Sequence, residues 1–197
     1  MEKFIDGSLR QYLTDLSDRK IVPGGGSAAA LVSAIGAGLN LMVINFCMGR
    51  KDCDGTIFQE LEELKQEQLV CYKKISMLID EDCDVFRKLM GVLTEKTDPQ
   101  EAYKEAAGVP LEICKECVKA ISISSKLVDK AGKHIVSDVG CSVNFLEAAF
   151  SSAKINVAIN LKCIEDKTFV LKCEEELSAL GNEIARVKEE VIQKLTV

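Results

Sequence analysis

Apolar residues recur at steps of three and four along most of the chain. From Ile57 they run Leu61, Leu64, Cys71, Ile75, Leu78, Val85 and Leu89; from Ala106 they run Pro110, Ile113, Cys117, Ala120, Leu127 and Ala131. A third series follows Phe169 through Cys173, Leu177, Leu180, Ile184, Val187, Val191 and Leu195. Residues so spaced share one helix face, so each series predicts a long helix with a buried stripe. Ala120–Ser124 alternates as a strand would, but lies inside a helical series that continues on both sides. The breaks are short: Pro23-Gly-Gly-Gly26, Asp52-Cys-Asp-Gly55, Thr94–Gln100, Lys130–His134 and Glu165–Thr168. Ser27 is the expected N-cap of the second helix, and Ser137-Asp138 caps the fifth. Pro110 either kinks its helix or starts a new one. With no linker or repeat, residues 1–197 are expected to form one all-α domain, a bundle of long antiparallel helices. The chain carries more apolar stripe than such a bundle hides, which predicts a homodimer.

Ala28–Met48 is the longest uncharged stretch, yet Ser33, Asn40 and Asn45 interrupt it. It reads as a buried helix rather than a membrane span. A formal charge of −6 gives no electrostatic reason to bind nucleic acid or an anionic membrane. Nine cysteines, an odd number, stand in helical segments, and Met1–Asp6 has no apolar signal-peptide core. Free thiols and a cytoplasmic location are expected. Cys114 and Cys117 form a CxxC pair with the chain's one histidine, His134, beyond it; mid-helix and without further ligands, they are not expected to hold a metal. One histidine and no Gly-x-Ser-x-Gly elbow disfavour a serine hydrolase.

Polar residues standing on apolar stripes carry the candidate chemistry. Gln68 and Asp82 occupy stripe positions of the third helix, whereas Asp80, Glu81 and Asp84 point elsewhere and are expected in solvent. A carboxyl turned toward apolar surroundings holds its proton more tightly, which suits a general acid or base; a buried ion pair or a cap explains the position equally well. Asn40, Asn45, Asn144, Asn156 and Asn160 need partners if buried, and Asp138 at a helix start complements the macrodipole. Gly24, Gly25 and Gly26 permit positive φ and close approach of a ligand to the main chain, and the helix start at Ser27 offers free N–H groups. The loop lacks the Lys of a Walker motif and the preceding strand of a dinucleotide fingerprint.

In order along the chain, Pro23-Gly-Gly-Gly-Ser-Ala-Ala-Ala30, Gly49-Arg-Lys51, Asp80-Glu-Asp-Cys-Asp84, Glu105–Glu112, Ile135-Val-Ser-Asp-Val-Gly140 and Asn156–Lys162 resemble the formiminotransferase-cyclodeaminase C-terminal family. That family comprises formimidoyltetrahydrofolate cyclodeaminases and stand-alone methenyltetrahydrofolate cyclohydrolases. The resemblance covers essentially the whole chain, without the transferase domain of the bifunctional members. It implies an all-helical dimer and an enzyme acting on the carbon between the two bridging nitrogens of tetrahydrofolate. It implies no cofactor besides that folate substrate. Asp82 and Asp138 belong to its motifs and become the candidate acid–base pair, expected to line one pocket with Gly24–Gly26. By the same resemblance Arg50 and Lys51 would anchor the folate glutamate tail. Asn45 and Asn156 would read the pterin edge, with Gly24–Ser27 lying against it. Ala158 stands where the family commonly has arginine. That loss is the feature favouring the rival reading, a non-catalytic folate-binding or dimerisation scaffold.

Overall fold

A computed structural model describes residues 3–195. A 3-10 turn at Phe4–Asp6 leads into six helices: α1 (Leu9–Ser17), α2 (Gly25–Met48), α3 (Gly55–Glu95), α4 (Gln100–Leu127), α5 (Val136–Leu161) and α6 (Lys167–Leu195). The described residues contain no strand, and Ala120–Ser124 is ordinary α4. Pro110 lies inside α4 and neither ends nor restarts it.

Side-chain contacts fix the directions. Gly26 meets Asp82 and Asn40 meets Gln68, so α3 runs antiparallel to α2. Cys71 meets Glu116 and Lys88 meets Glu105, so α4 runs antiparallel to α3 and parallel to α2. The Ser124 hydroxyl joins it to α2 by donating to Asn40 Oδ1. The Ser142 hydroxyl donates to the Gly36 carbonyl at 2.8 Å and Gly25 faces Asn156, so α5 returns antiparallel. Lys188 reaches Glu147 while Gly181 faces Phe150 and Lys154, so α6 turns back again. The result is an up-and-down bundle in which α2 packs on α3, α4 and α5.

Small residues on α2 make this possible. Gly26, Ala29, Ala30, Ser33, Ala34, Gly36 and Ala37 are all buried. At Gly36 a Cβ would fall 2.9 Å from Leu146 Cγ, so α5 approaches as closely as it does because a side chain is missing. Asn40, fully buried, donates to Gln68 Oε1 (3.2 Å) and to the Ala120 carbonyl (2.9 Å). The Asn40 amide thus ties α2, α3 and α4 together, while the buried Gln68 Nε2 finds no partner among the described residues. Gly25–Met48 is long and apolar enough to cross a membrane, and more than half of its apolar window is buried in the bundle.

All nine cysteines are unpaired: six are buried, Cys53 is half-buried, and Cys141 and Cys163 are exposed. Burial pushes the buried thiols up, Cys114 to about 12, and keeps them protonated. Thiol titration without denaturant is therefore expected to find Cys141 and Cys163 fast and Cys53 slower. The remaining six should react only on unfolding; rapid native reaction of all nine would mean that the packing described for α2, α3, α4 and α6 is wrong.

Candidate functional site

The N-cap of the second helix lies three residues before Ser27, the residue at which the sequence suggests it. Gly24 is the N-cap, its carbonyl accepting the Ala28 N–H at 3.0 Å, and Ser27 lies in the first turn, fully buried. Burial draws Ser27 inward: its hydroxyl pairs with the Tyr12 phenol at 3.0 Å rather than capping the helix. No glycine in the chain has positive φ. The triple glycine serves close approach instead. A Cβ at Gly26 would fall inside the Asp82 carboxylate, 2.6 Å from its Cγ, and one at Gly25 would touch the Asn156 amide at 3.6 Å.

Asp82 is half-buried, wedged between α3 and the first turn of α2. Burial raises its pKa from the ordinary 3.8 to about 6, and the Ser27 backbone N–H offsets part of the rise by favouring the carboxylate. Its proton is thus held more tightly than by an ordinary carboxylate, at a helix N-terminus. A carboxyl held by packing, with its pKa raised by burial, has the character that a general acid or base needs. Its neighbours behave differently. Asp80, expected in solvent, accepts the Phe4 N–H at 2.6 Å and the Ile5 N–H at 3.4 Å; Asp84 pairs with Arg87 at 2.8 Å.

The structure gathers Gly24, Gly25, Gly26, Ser27, Asp82 and Asn156 at one end of the bundle. It does not bring Asp138 there. Asp138 and Asn156 lie eighteen residues apart on α5, five turns on the same side of the helix, about 27 Å. Asn45, Arg50 and Lys51 are likewise at the far end of α2, a 24-residue helix of about 36 Å. The expectation that Asp82 and Asp138 line one pocket is therefore wrong within a single chain. The reason is topological: α5 runs antiparallel to α2, so its start meets the end of α2. Arg50 is also engaged, its guanidinium donating to Asp52 (Nε to Oδ1 at 2.9 Å) and to the Lys130 carbonyl at 3.2 Å; the nearby Asp52 carboxylate raises its pKa further. Asn45 and Asn144 are exposed, and Asn160 donates to the Ala106 carbonyl at 2.8 Å.

Tyr12 is a site neighbour that the sequence reading passed over. It stands with Leu9, Leu13 and Leu16 on the stripe of α1, so its type and spacing read as core; its phenol is nevertheless aimed at Ser27.

The family model described as formiminotransferase-cyclodeaminase matches residues 8–179. A methenyltetrahydrofolate cyclohydrolase of Methylorubrum extorquens is 31% identical over 94% of both chains. A formimidoyltransferase-cyclodeaminase of Rattus norvegicus is 28% identical over 92% of this chain, which spans 36% of that longer protein. The crystal structure of a formiminotetrahydrofolate cyclodeaminase from Thermotoga maritima superposes with a TM-score of 0.91 at 30% identity, covering 96% of each chain. The chain belongs to the formiminotransferase-cyclodeaminase family.

Proposed function

We propose that this protein is a folate one-carbon enzyme, a methenyltetrahydrofolate cyclohydrolase or formimidoyltetrahydrofolate cyclodeaminase, with Asp82 as its proton shuttle. The observation that carries the reading is the Asp82 carboxyl, poised near pH 6 against Gly26 and the start of α2. Both reactions pass through a tetrahedral carbon between the two bridging nitrogens of tetrahydrofolate. In the hydrolytic direction the carboxylate takes a proton from the attacking water and returns it to the nitrogen that leaves the carbon. In the deaminating direction the second bridging nitrogen attacks the carbon, the carboxylate takes the proton that nitrogen loses, and it delivers the proton to the amine as the C–N bond to ammonia breaks. A carboxylate also faces the cationic amidinium favourably. The cytoplasm, where folate substrates and reduced thiols coexist, is the location that fits.

The distant set of residues is accounted for by a second copy of the chain. Ile35 (47% exposed) and Phe46 (59%) on α2, and Phe145, Ile155 and Ile159 on α5, are exposed. Ile35 and Phe145 each precede a residue that packs α2 against α5, Gly36 and Leu146. Because the two helices are antiparallel, both apolar stripes fall on the same side and form one face. A two-fold axis across the middle of that face is the arrangement we propose, with isologous pairing of α2 and α5. It lays the Asp82 end of one chain beside the Arg50 and Asp138 end of the other. Each of two sites then combines Asp82, Gly24–Ser27 and Asn156 with Asp138 of the partner subunit.

Two absorbance assays test the chemistry. Methenyltetrahydrofolate should decay above the buffer rate for a cyclohydrolase, and form from formimidoyltetrahydrofolate for a cyclodeaminase; inertness in both assays would leave the scaffold reading. Subunit mixing tests the shared site. Asp82→Asn and Asp138→Asn homodimers should each be nearly inactive. Once they exchange subunits, half the dimers are hybrids with one intact site each, so about a quarter of wild-type activity should return. A particle mass of one 21.6 kDa chain by light scattering, or no recovery after demonstrated exchange, overturns the shared site.

A further inference from the structure

The N-terminal segment is fastened to the candidate site at two points. The Phe4 and Ile5 N–H groups both bond the Asp80 carboxylate, two residues before Asp82 on α3. Eight residues on, the Tyr12 hydroxyl meets Ser27 Oγ at 3.0 Å on α2, one residue from Gly26. Phe4 and Tyr12 pack edge to face with ring centroids 5.7 Å apart, so the two fastenings form one unit. The remainder of α1 is loosely held: Leu9 and Leu13 are more than half exposed, while Tyr12 is buried. Its attachment to the bundle thus centres on these polar contacts and one aromatic pair.

Resting on the functional reading above, we propose that Tyr12 is a positioning residue for the reaction. Through Ser27 it holds the first turn of α2 in register with α3, and so fixes the backbone N–H that meets the Asp82 carboxylate. Tyr12 does not touch the reacting atoms. It acts at a point of leverage: Ser27 presents its hydroxyl to Tyr12 and its backbone N–H to Asp82. Burial keeps the phenol protonated, so it can donate to Ser27 Oγ and leave the serine proton for the Cys83 sulfur. The titratable groups close enough to feel the Asp82 charge are Tyr12 from α1 and Cys83 on α3. From α2 it meets the Ser27 N–H, while the uncharged Asn156 amide of α5 lies against the neighbouring Gly25.

Tyr12→Phe keeps the ring and its packing on Phe4 and removes only the hydroxyl. Turnover is expected to fall roughly tenfold with KM little changed. The Asp82 carboxyl, followed by carbon NMR titration, should titrate about half a unit higher because its N–H partner is held less firmly. Ser27→Ala, which keeps the backbone N–H but loses the hydroxyl, should reproduce both effects. The double variant should be little worse than either single one, since the residues act in series. The NMR titration needs no substrate. If the wild type proves inert on both folates, the functional reading fails, while the Asp82 shift still tests the link. A Tyr12→Phe protein that melts lower but leaves the Asp82 titration, or the pH profile of turnover, where it was would reduce Tyr12 to packing and overturn the proposal. Additive losses in the double variant would do the same.

Discussion

Asp82→Asn should lower turnover by roughly a hundredfold or more while leaving the helices in place. Asparagine has the size of aspartate and still accepts the Ser27 N–H, but it cannot carry a proton between water and nitrogen. The wild-type kcat/KM should rise with pH through an acidic limb near 6, where the Asp82 carboxyl ionises; the variant should lack that limb. Stability should move the other way. Because the native carboxyl titrates above its ordinary 3.8, the folded protein binds this proton more tightly than the unfolded chain does. Its contribution is therefore greatest below pH 4 and is lost as pH rises through 6, a difference of up to about 3 kcal/mol. The uncharged variant escapes that loss. Denaturant melts should find Asp82→Asn more stable than wild type at pH 8, with the advantage gone near pH 4. Wild-type turnover in the variant would remove Asp82 from the chemistry.

Gly26→Ala, a single methyl group, should be nearly as damaging to activity. The added carbon would occupy the space of the Asp82 carboxylate. That carboxylate is the far end of a side chain, so it can swing toward solvent instead of forcing α2 and α3 apart. The helical preference of alanine over glycine offsets part of the strain. We expect turnover about a hundredfold lower, because an acid–base group moved by an ångström or more no longer reaches its proton. The melting temperature should change by only a few degrees. The rehydrated carboxyl should titrate lower, back toward the usual carboxylate range. A Gly26→Ala enzyme with full turnover would mean that the contact between Asp82 and α2 has no part in the site.

The apolar steps at three and four determined the helices and the single all-α bundle, since a stripe repeated for ten turns can be buried only by another helix. They also turned Gln68 and Asp82 inward, because a residue's helix face follows from its position in the period. The motifs around Pro23, Asp80, Ser137 and Asn156 carried the family. Tertiary structure decided the rest. The sequence marks Ser27 only as a helix cap, and packing alone brings the Tyr12 phenol onto its hydroxyl. The triple glycine could have served positive φ or close approach; the nearness of Asp82 and Asn156 settled it for close approach. Asp138 and Arg50 were grouped with Asp82 because motif order carries no direction in space. The antiparallel return of α5 along α2 sends them to the opposite end of the chain, since a bundle joined by short turns must alternate its helices up and down.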